Sequence, residues 1–379
     1  MEIPRAAVIG AGFVGRAHIE SLRRQGIPVL GVLGSSPDRA TESAKSLRLQ
    51  RAYRSLEELV ADRDVDVVHV CTPNYLHAKE TSALLKAGKH VMCEKPLAMN
   101  APESAELVEL ARKEKRVGGV TYNLRYYPLC QQARSMISSG AIGEPRLVHG
   151  SFLQDWLLYP TDWNWRLETK LGGDLRAVSD IGTHWMDLTS WIVGRSITEV
   201  CADLATVIPI RKKPRGRVET FRSSAAETDD VKIATDDYAS VLVHLDGGAR
   251  GVYTLSQVSA GRKARLWYEI DGSEASLAFD SENPNTLWIG RRKGPNEELM
   301  KDPSLMSAEA RGYSAYPGGH IEGYPDTFMQ LFKDFYSYIG AGDLSMPRTF
   351  PTFEDGHREM MLCDAIALSG KERRWVTVD

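Results

Sequence analysis

Two different hydrophobic rhythms divide this chain. Up to about residue 123, short apolar runs alternate with amphipathic stretches. Ala6–Ile9, Val29–Leu33, Val65–Cys71, His90–Cys93 and Val117–Tyr122 read as buried strands. Between them, Val14 to about Arg24, Asp38–Leu47, Ser55–Ala61, His77–Ala87 and Ala101–Lys113 read as helices. Apolar runs separated by helical patterns are the mark of βαβ units and a parallel sheet. The sheet is expected to end near residue 123.

Beyond that point apolar and polar residues alternate singly. Pro145–Gln154, Ile197–Val207, Tyr238–Leu245, Ala249–Val258, Ala264–Asp271 and Ala275–Asp280 have this period of two. Turns such as Asp246-Gly247-Gly248 and Asp271-Gly272-Ser273 separate them. That combination predicts antiparallel strands and hairpins. Pro209–Val231, with its Lys212-Lys213-Pro214-Arg215 cluster, reads as a mobile surface excursion, its basic residues solvated or serving an anion. Tyr324–Gly340 and Phe353–Ser369 read as helices, the last packing back on the first domain. The fold class is therefore α/β: a doubly wound parallel sheet over 1–123, then antiparallel strands and helices over 124–379.

Composition narrows the function. At 379 residues the chain can bury a large core in two domains. A net charge of −3 gives no broad footprint for nucleic acid or an anionic membrane. No stretch approaches the roughly 20 apolar residues of a membrane span. The start, Met1-Glu2-Ile3-Pro4-Arg5, runs straight toward the first strand and predicts a cytoplasmic protein without a signal peptide. Five scattered cysteines fit reduced, buried thiols, with neither metal spacing nor a disulfide framework.

The chemistry concentrates at strand ends. Gly10-Ala11-Gly12-Phe13-Val14-Gly15 follows the first strand and opens a helix. Gly10 permits the tight turn, Gly12 lets backbone approach a pyrophosphate, and Gly15 lets the helix pack on the sheet. The helix N-terminus then offers N–H groups to the phosphates. After the second strand a carboxylate would hold the adenosine 2′-hydroxyl, but Gly34-Ser35-Ser36 stands there. Ser35, Ser36 and Arg39 suit a 2′-phosphate, so NADP is expected over NAD. Thr72-Pro73-Asn74-Tyr75-Leu76-His77 follows the third strand and Glu94-Lys95-Pro96 the fourth. Ligands of open α/β sheets collect at these carboxyl ends. A proline after Lys95 fixes the backbone sharply, as a cis peptide would.

In the second half, Asp180 and His184 are i, i+4 neighbours if a helix opens near Asp180. A carboxylate beside an imidazole orients it and suits a general base near neutral pH. The same pair also serves as a helix cap or a structural contact. Asp187 one turn on is a weak third metal ligand, and no metal is expected. Trp156, Trp163, Trp165, Trp185 and Trp191 crowd together with Tyr159, Asn164 and Arg166, as a carbohydrate platform or as core beneath the sheet. His320, in Gly318-Gly319-His320, either lines a pocket or belongs to an ordinary helix-start loop.

As a set these motifs resemble the glucose-fructose oxidoreductase / inositol dehydrogenase (Gfo/Idh/MocA) family over almost the whole chain. The matching segments are the glycine loop, Thr72–His77, Glu94–Pro96, Tyr122–Pro128, the glycine-rich lead into Asp180 and His184, and the Ser369-Gly370 to Trp375-Val376 tail. The resemblance implies a sugar, sugar-derivative or cyclitol dehydrogenase or reductase using NAD(P). Lys95 would polarise the reacting oxygen, and His184 would be the acid/base oriented by Asp180. Thr72, Pro73, Asn74, His77, Glu94, Asn123 and Arg125 would lie at the cofactor, with Tyr122, Trp163, Trp165, Arg166 and His320 toward substrate. It also implies a Rossmann domain over 1–123 and, over 124–379, an α/β domain with a large open, mainly antiparallel sheet that binds substrate and makes a homodimer or homotetramer. Two alternatives keep the scaffold: a glycoside hydrolase working by transient oxidation and elimination, and a non-catalytic NAD(P)-sensing regulator.

Overall fold

Why the first rhythm gives a parallel sheet is visible strand by strand. The structure, a computed structural model, describes residues 3–216 and 227–378. It opens with β1 (Ala6–Ile9), α1 (Phe13–Arg24), β2 (Val29–Leu33), α2 (Pro37–Ser46), β3 (Arg51–Tyr53) and α3 (Leu56–Ala61). β4 (Val67–Val70), α4 (Asn74–Lys86), β5 (His90–Cys93), α5 (Ala101–Lys113) and β6 (Gly118–Val120) follow. Every residue of β1, β4 and β6 is buried, as strands covered on both faces require. The strand order β3-β2-β1-β4-β5-β6 is that of a dinucleotide-binding Rossmann sheet. β3 is too short to announce itself in the sequence. The edge strand β6 is not left bare: Val120 donates to the Pro351 carbonyl at 2.9 Å, and Gly119 bridges Thr352.

The chain then forms α6 (Pro128–Ser138), β7 (Pro145–Leu153), α7 (Thr169–Gly172) and α8 (Thr183–Val193). β8 (Ile197–Ala205), β9 (Ile210–Pro214), β10 (Thr228–Lys232), β11 (Tyr238–Leu245), β12 (Arg250–Ser256), β13 (Arg265–Gly272), β14 (Ala275–Asp280), β15 (Thr286–Arg291) and β16 (Glu297–Met300) come next. The last elements are α9 (Ala308–Arg311), α10 (Tyr324–Ala341), α11 (Phe353–Glu372) and β17 (Val376–Thr377).

Nine of these strands make one sheet, ordered β16-β15-β14-β13-β7-β12-β11-β8-β17. All its pairings are antiparallel except β12 with β7. Alternating burial along β11, β13 and β14 puts one face on the core and leaves the other open. The expected excursion at Pro209–Val231 is instead a hairpin at its base, β9 against β10, while 217–226 lie outside the described residues.

The chain falls into two compact units, Met1–Asn123 with Pro325–Met360, and Leu124–Tyr324 with Met361–Asp379. In the first, the start of α11 packs on the parallel sheet: Phe353 is buried, and Gly356 is where a Cβ would meet Val120 and Leu97. No helix among the described residues is long and apolar enough to cross a membrane.

Candidate active site

Three loops leave the carboxyl ends of adjacent strands in the first unit. After β1, Gly10 takes a left-handed φ of +89°, and a Cβ there would lie 2.5 Å from the Cys71 carbonyl oxygen. A Cβ on Gly15 would come within 1.8 Å of the Gly10 carbonyl oxygen. Both glycines are therefore demanded by the loop itself. Gly12 is different, since nothing lies within 4 Å of where its Cβ would be. It caps α1 without any side-chain hydrogen bond, and no acid occupies the first turn. Open space at a helix N-terminus suits a dinucleotide pyrophosphate. Val14 is half-buried and Phe13 exposed.

At the end of β2, Gly34 meets α2 so closely that a Cβ would lie 2.7 Å from the Ala40 nitrogen. A side chain at this position would crowd the start of α2. Ser36 caps α2, its hydroxyl accepting from the Arg39 backbone N–H at 3.4 Å, while Ser35 and Arg39 are exposed.

His77 ties the other two loops together. Its Nδ1 is 2.7 Å from the Pro96 carbonyl oxygen and its Nε2 is 2.8 Å from the Thr72 carbonyl oxygen. Burial lowers its pKa, and a neutral ring donates to one of these oxygens at a time. So His77 braces Thr72-Pro73-Asn74 against Glu94-Lys95-Pro96, whose Lys95–Pro96 bond is cis. The Thr72 hydroxyl donates to Glu80 at 2.6 Å, and Asn74 is buried at the start of α4. Lys95 is half-buried at the end of β5. Tyr122 belongs to the core cluster of the sheet, and buried Asn123 donates to the Thr327 hydroxyl at 2.7 Å. Burial holds the Cys71 thiol well above its usual pKa.

In the second unit the expected α-helix at Asp180 is replaced by a wider turn. Val178–Gly182 is π-helical, the N–H of Thr183 reaching back to the Val178 carbonyl, before α8 begins. Such turns recur at functional sites. The Asp180 carboxylate accepts from Gln257 Nε2 at 2.8 Å and lies 3.2 Å from Arg166 Nε. Arg166 in turn lies over the Trp165 ring, 4.4 Å from its centre. Trp165 and Arg166, which the sequence offers apart from Asp180, thus form one linked group with it, with His184 a single turn on. His184 is half-buried, its ring 6.3 Å from that of Phe152.

Other candidates have structural surroundings. Trp163 belongs to a small core cluster with Leu157, Leu167 and Ile233. Trp185 is buried, stacked on Tyr253 at 4.4 Å. Arg125 is a buried fork on Asp187, with Nε donating at 2.8 Å and Nη2 to the second oxygen. His320 is exposed, against the carbonyl of Gly318 in its own loop. Among the described residues the one group of three metal-type ligands is His149, Glu269 and Asp271, not one around Asp187.

Sequence reasoning missed His18, His69, Gln257 and the Arg176–Asp237–Arg211 cluster. His69 did leave a signal, being the lone polar residue inside Val67-Val68-His69-Val70. A buried polar side chain needs a partner.

The family description "Oxidoreductase family, NAD-binding Rossmann fold" matches residues 4–122, and "GFO/IDH/MocA C-terminal domain" matches 130–278. The chain belongs to the Gfo/Idh/MocA oxidoreductase family. It is 28% identical to levoglucosan dehydrogenase of Pseudarthrobacter phenanthrenivorans, over 100% of this chain and 99% of that one. It is 26% identical to myo-inositol 2-dehydrogenase of Thermotoga maritima, over 99% and 98% of the two chains. A solved levoglucosan dehydrogenase in complex with NADH and L-sorbose superposes with a TM-score of 0.89 at 28% identity, covering both chains fully. As in other members of this oxidoreductase family, the glycine loop after β1 belongs to an NAD-binding Rossmann fold.

Proposed function

We propose that this enzyme transfers hydride between a hydroxyl of a sugar, sugar derivative or cyclitol and a nicotinamide, with Lys95 and His184 handling the proton. The observation that carries the reading is the convergence of three loops, Gly10–Gly15, Thr72–His77 and Glu94–Pro96, on neighbouring strand ends, with Gly12 facing open space. Gly12 and the first turn of α1 would hold the pyrophosphate, and the nicotinamide, when bound, supplies the hydride acceptor. The Lys95 ammonium, delivered by β5, stabilises the substrate oxygen as its proton leaves. A ring nitrogen of His184 takes that proton. Asp180, held by Gln257 and Arg166, sets the local charge, and the Arg166–Trp165 stack offers a sugar an apolar face and hydrogen-bond donors. The relatives' substrates, levoglucosan and myo-inositol, support a polyhydroxylated ring.

The cofactor assigned is NADP. Gly34 excludes the ribose-binding acid, and exposed Ser35 and Arg39 suit a 2′-phosphate. The solved levoglucosan dehydrogenase carries NADH, so the assignment is a claim about this chain's own second strand. A second copy is expected on the open face of the nine-stranded sheet, where Leu147, Leu242, Val252 and Trp288 are exposed. Light scattering that returns a monomer ends that expectation.

The decisive experiment follows absorbance at 340 nm with levoglucosan, myo-inositol and a wider set of sugars and glycosides, each with NAD+ and NADP+. Accumulation of reduced cofactor is expected, with the higher kcat/KM for NADP+. Aglycone release without reduced cofactor overturns the net reaction, and a higher kcat/KM with NAD+ overturns the cofactor.

A further inference from the structure

Behind the strand-end loops of the first unit, four polar side chains stand in a row. Glu94 Oε1 is 3.0 Å from His18 Nε2, and His18 Nδ1 is 2.9 Å from His69 Nδ1. His69 Nε2 is then 3.0 Å from the Tyr336 hydroxyl. Both imidazoles are wholly buried, and Glu94 and Tyr336 nearly so. Phe332 packs against both rings, 4.8 Å from His18 and 4.7 Å from His69, and Phe328 closes on His18 at 5.3 Å. Charge on either ring is costly in such surroundings, and burial beside His18 holds His69 well below its ordinary pKa.

Counting protons fixes the order of the row. Three gaps need three donors. Two neutral imidazoles supply one N–H each and Tyr336 one O–H, while an ionised Glu94 supplies none. With both rings neutral and Glu94 ionised, the one arrangement runs from Tyr336 O–H to His69 Nε2, from His69 Nδ1–H to His18 Nδ1, and from His18 Nε2–H to Glu94. The Cys71 thiol, 3.4 Å from His18 Nδ1, donates to the same acceptor. A reversed row needs a protonated Glu94 and leaves the Tyr336 O–H seeking a second buried acceptor. Among the described residues that hydroxyl bonds to His69.

We infer that His18, His69 and Tyr336 are positioning residues for the reaction: a directional, charge-free chain that keeps Glu94 ionised and fixed beside its neighbour Lys95. The chain serves the hydride transfer proposed above and rests on that reading. Through it, the middle of α1 and the buried face of α10 determine how the β5 strand end presents its carboxylate. Motions of Glu94 that would draw the adjacent lysine out of register are suppressed, because each link is locked by the next.

Nitrogen-15 spectra of histidine-labelled full-length protein read the chain without any turnover. His18 is expected as the Nε2–H tautomer and His69 as the Nδ1–H tautomer. The opposite tautomers, or a charged ring at neutral pH, overturn the inference. Kinetics supply the second measurement, with NAD+ or NADP+ and whichever of levoglucosan or myo-inositol the native enzyme oxidises. His18→Leu should lower kcat by about tenfold or more, the loss typical of removing an outer partner. Its KM for the cofactor should stay within about twofold. His18→Gln, which keeps an N–H for Glu94, should recover most of kcat. An unchanged kcat in a folded His18→Leu overturns the inference, as does a Gln variant no better than Leu. Native enzyme that oxidises neither compound counts against the functional reading, and the tautomers alone then decide the chain. They also decide it if His18→Leu does not fold.

Discussion

The two units place their functional side chains by opposite means. In the first, Gly12, Thr72 and Lys95 sit where backbone leaves a parallel strand, and His77 braces two of the loops through their carbonyl oxygens. In the second, Asp180 and His184 ride on a helix laid over an antiparallel sheet, and ion pairs with no exposure hold the ground beneath them. Asp237 alone takes Arg176 and Arg211, all three side chains fully buried. Arg176 also donates its backbone N–H to Asp236 at 2.6 Å, four residues ahead of Asp180. A site built on strand ends is placed by the sheet and then braced, whereas one built on a helix lead needs distant charges to find one another.

Breaking each support separately should expose this contrast. The largest effect is expected from Asp237→Ala, which strands two buried guanidinium groups and should cost about 3–5 kcal/mol. Denaturant unfolding measures it, and a loss under about 1 kcal/mol would refute the idea that these pairs carry the second unit. Lys95→Ala should leave unfolding nearly unchanged and lower kcat by about a hundredfold to ten-thousandfold. Fluorescence titration with NADPH should show binding close to native, and turnover near native would remove Lys95 from its role.

Gly15→Ala and Gly12→Ala sharpen the comparison within one loop. The former drives a methyl into the Gly10 carbonyl and should destabilise by about 1–3 kcal/mol. The latter fills open space, so stability should move by no more than about 0.5 kcal/mol while cofactor affinity falls. If both variants lose stability equally, the space before Gly12 is not the pyrophosphate's.

A further effect concerns pH. Burial, with Arg116 nearby, holds His90 down to about 4, and its Nδ1 accepts the Val117 N–H at 2.9 Å. The unfolded chain binds this proton near pH 6.5. Between there and about pH 4 the unfolded state therefore carries more protons, and stability falls as pH falls. Thermal melts across that window should drop less steeply for His90→Gln, and identical slopes would exclude His90 as a contributor.

Much of the first unit was legible because its signals are local. A glycine pattern, a proline after a lysine and a four-residue apolar run each act within one loop or strand. The sequence also announced the antiparallel sheet through single alternation, and it offered Lys95, Asp180 and His184 as candidates. It did not announce β3, the β9–β10 hairpin or the π-turn. Nor could it say that Arg125 would be taken by Asp187, that Trp163 would be core, or that Asp180 would rest on Arg166 and Gln257. Those pairings join residues far apart in the chain, and periodicity carries no record of partners. Periodicity and turn chemistry, which depend on neighbours along the backbone, determined the elements and the glycine loop. Which buried charge meets which, and so how Asp180 and Glu94 are held, was decided only by tertiary packing, since burying a charge is tolerable only where a partner waits.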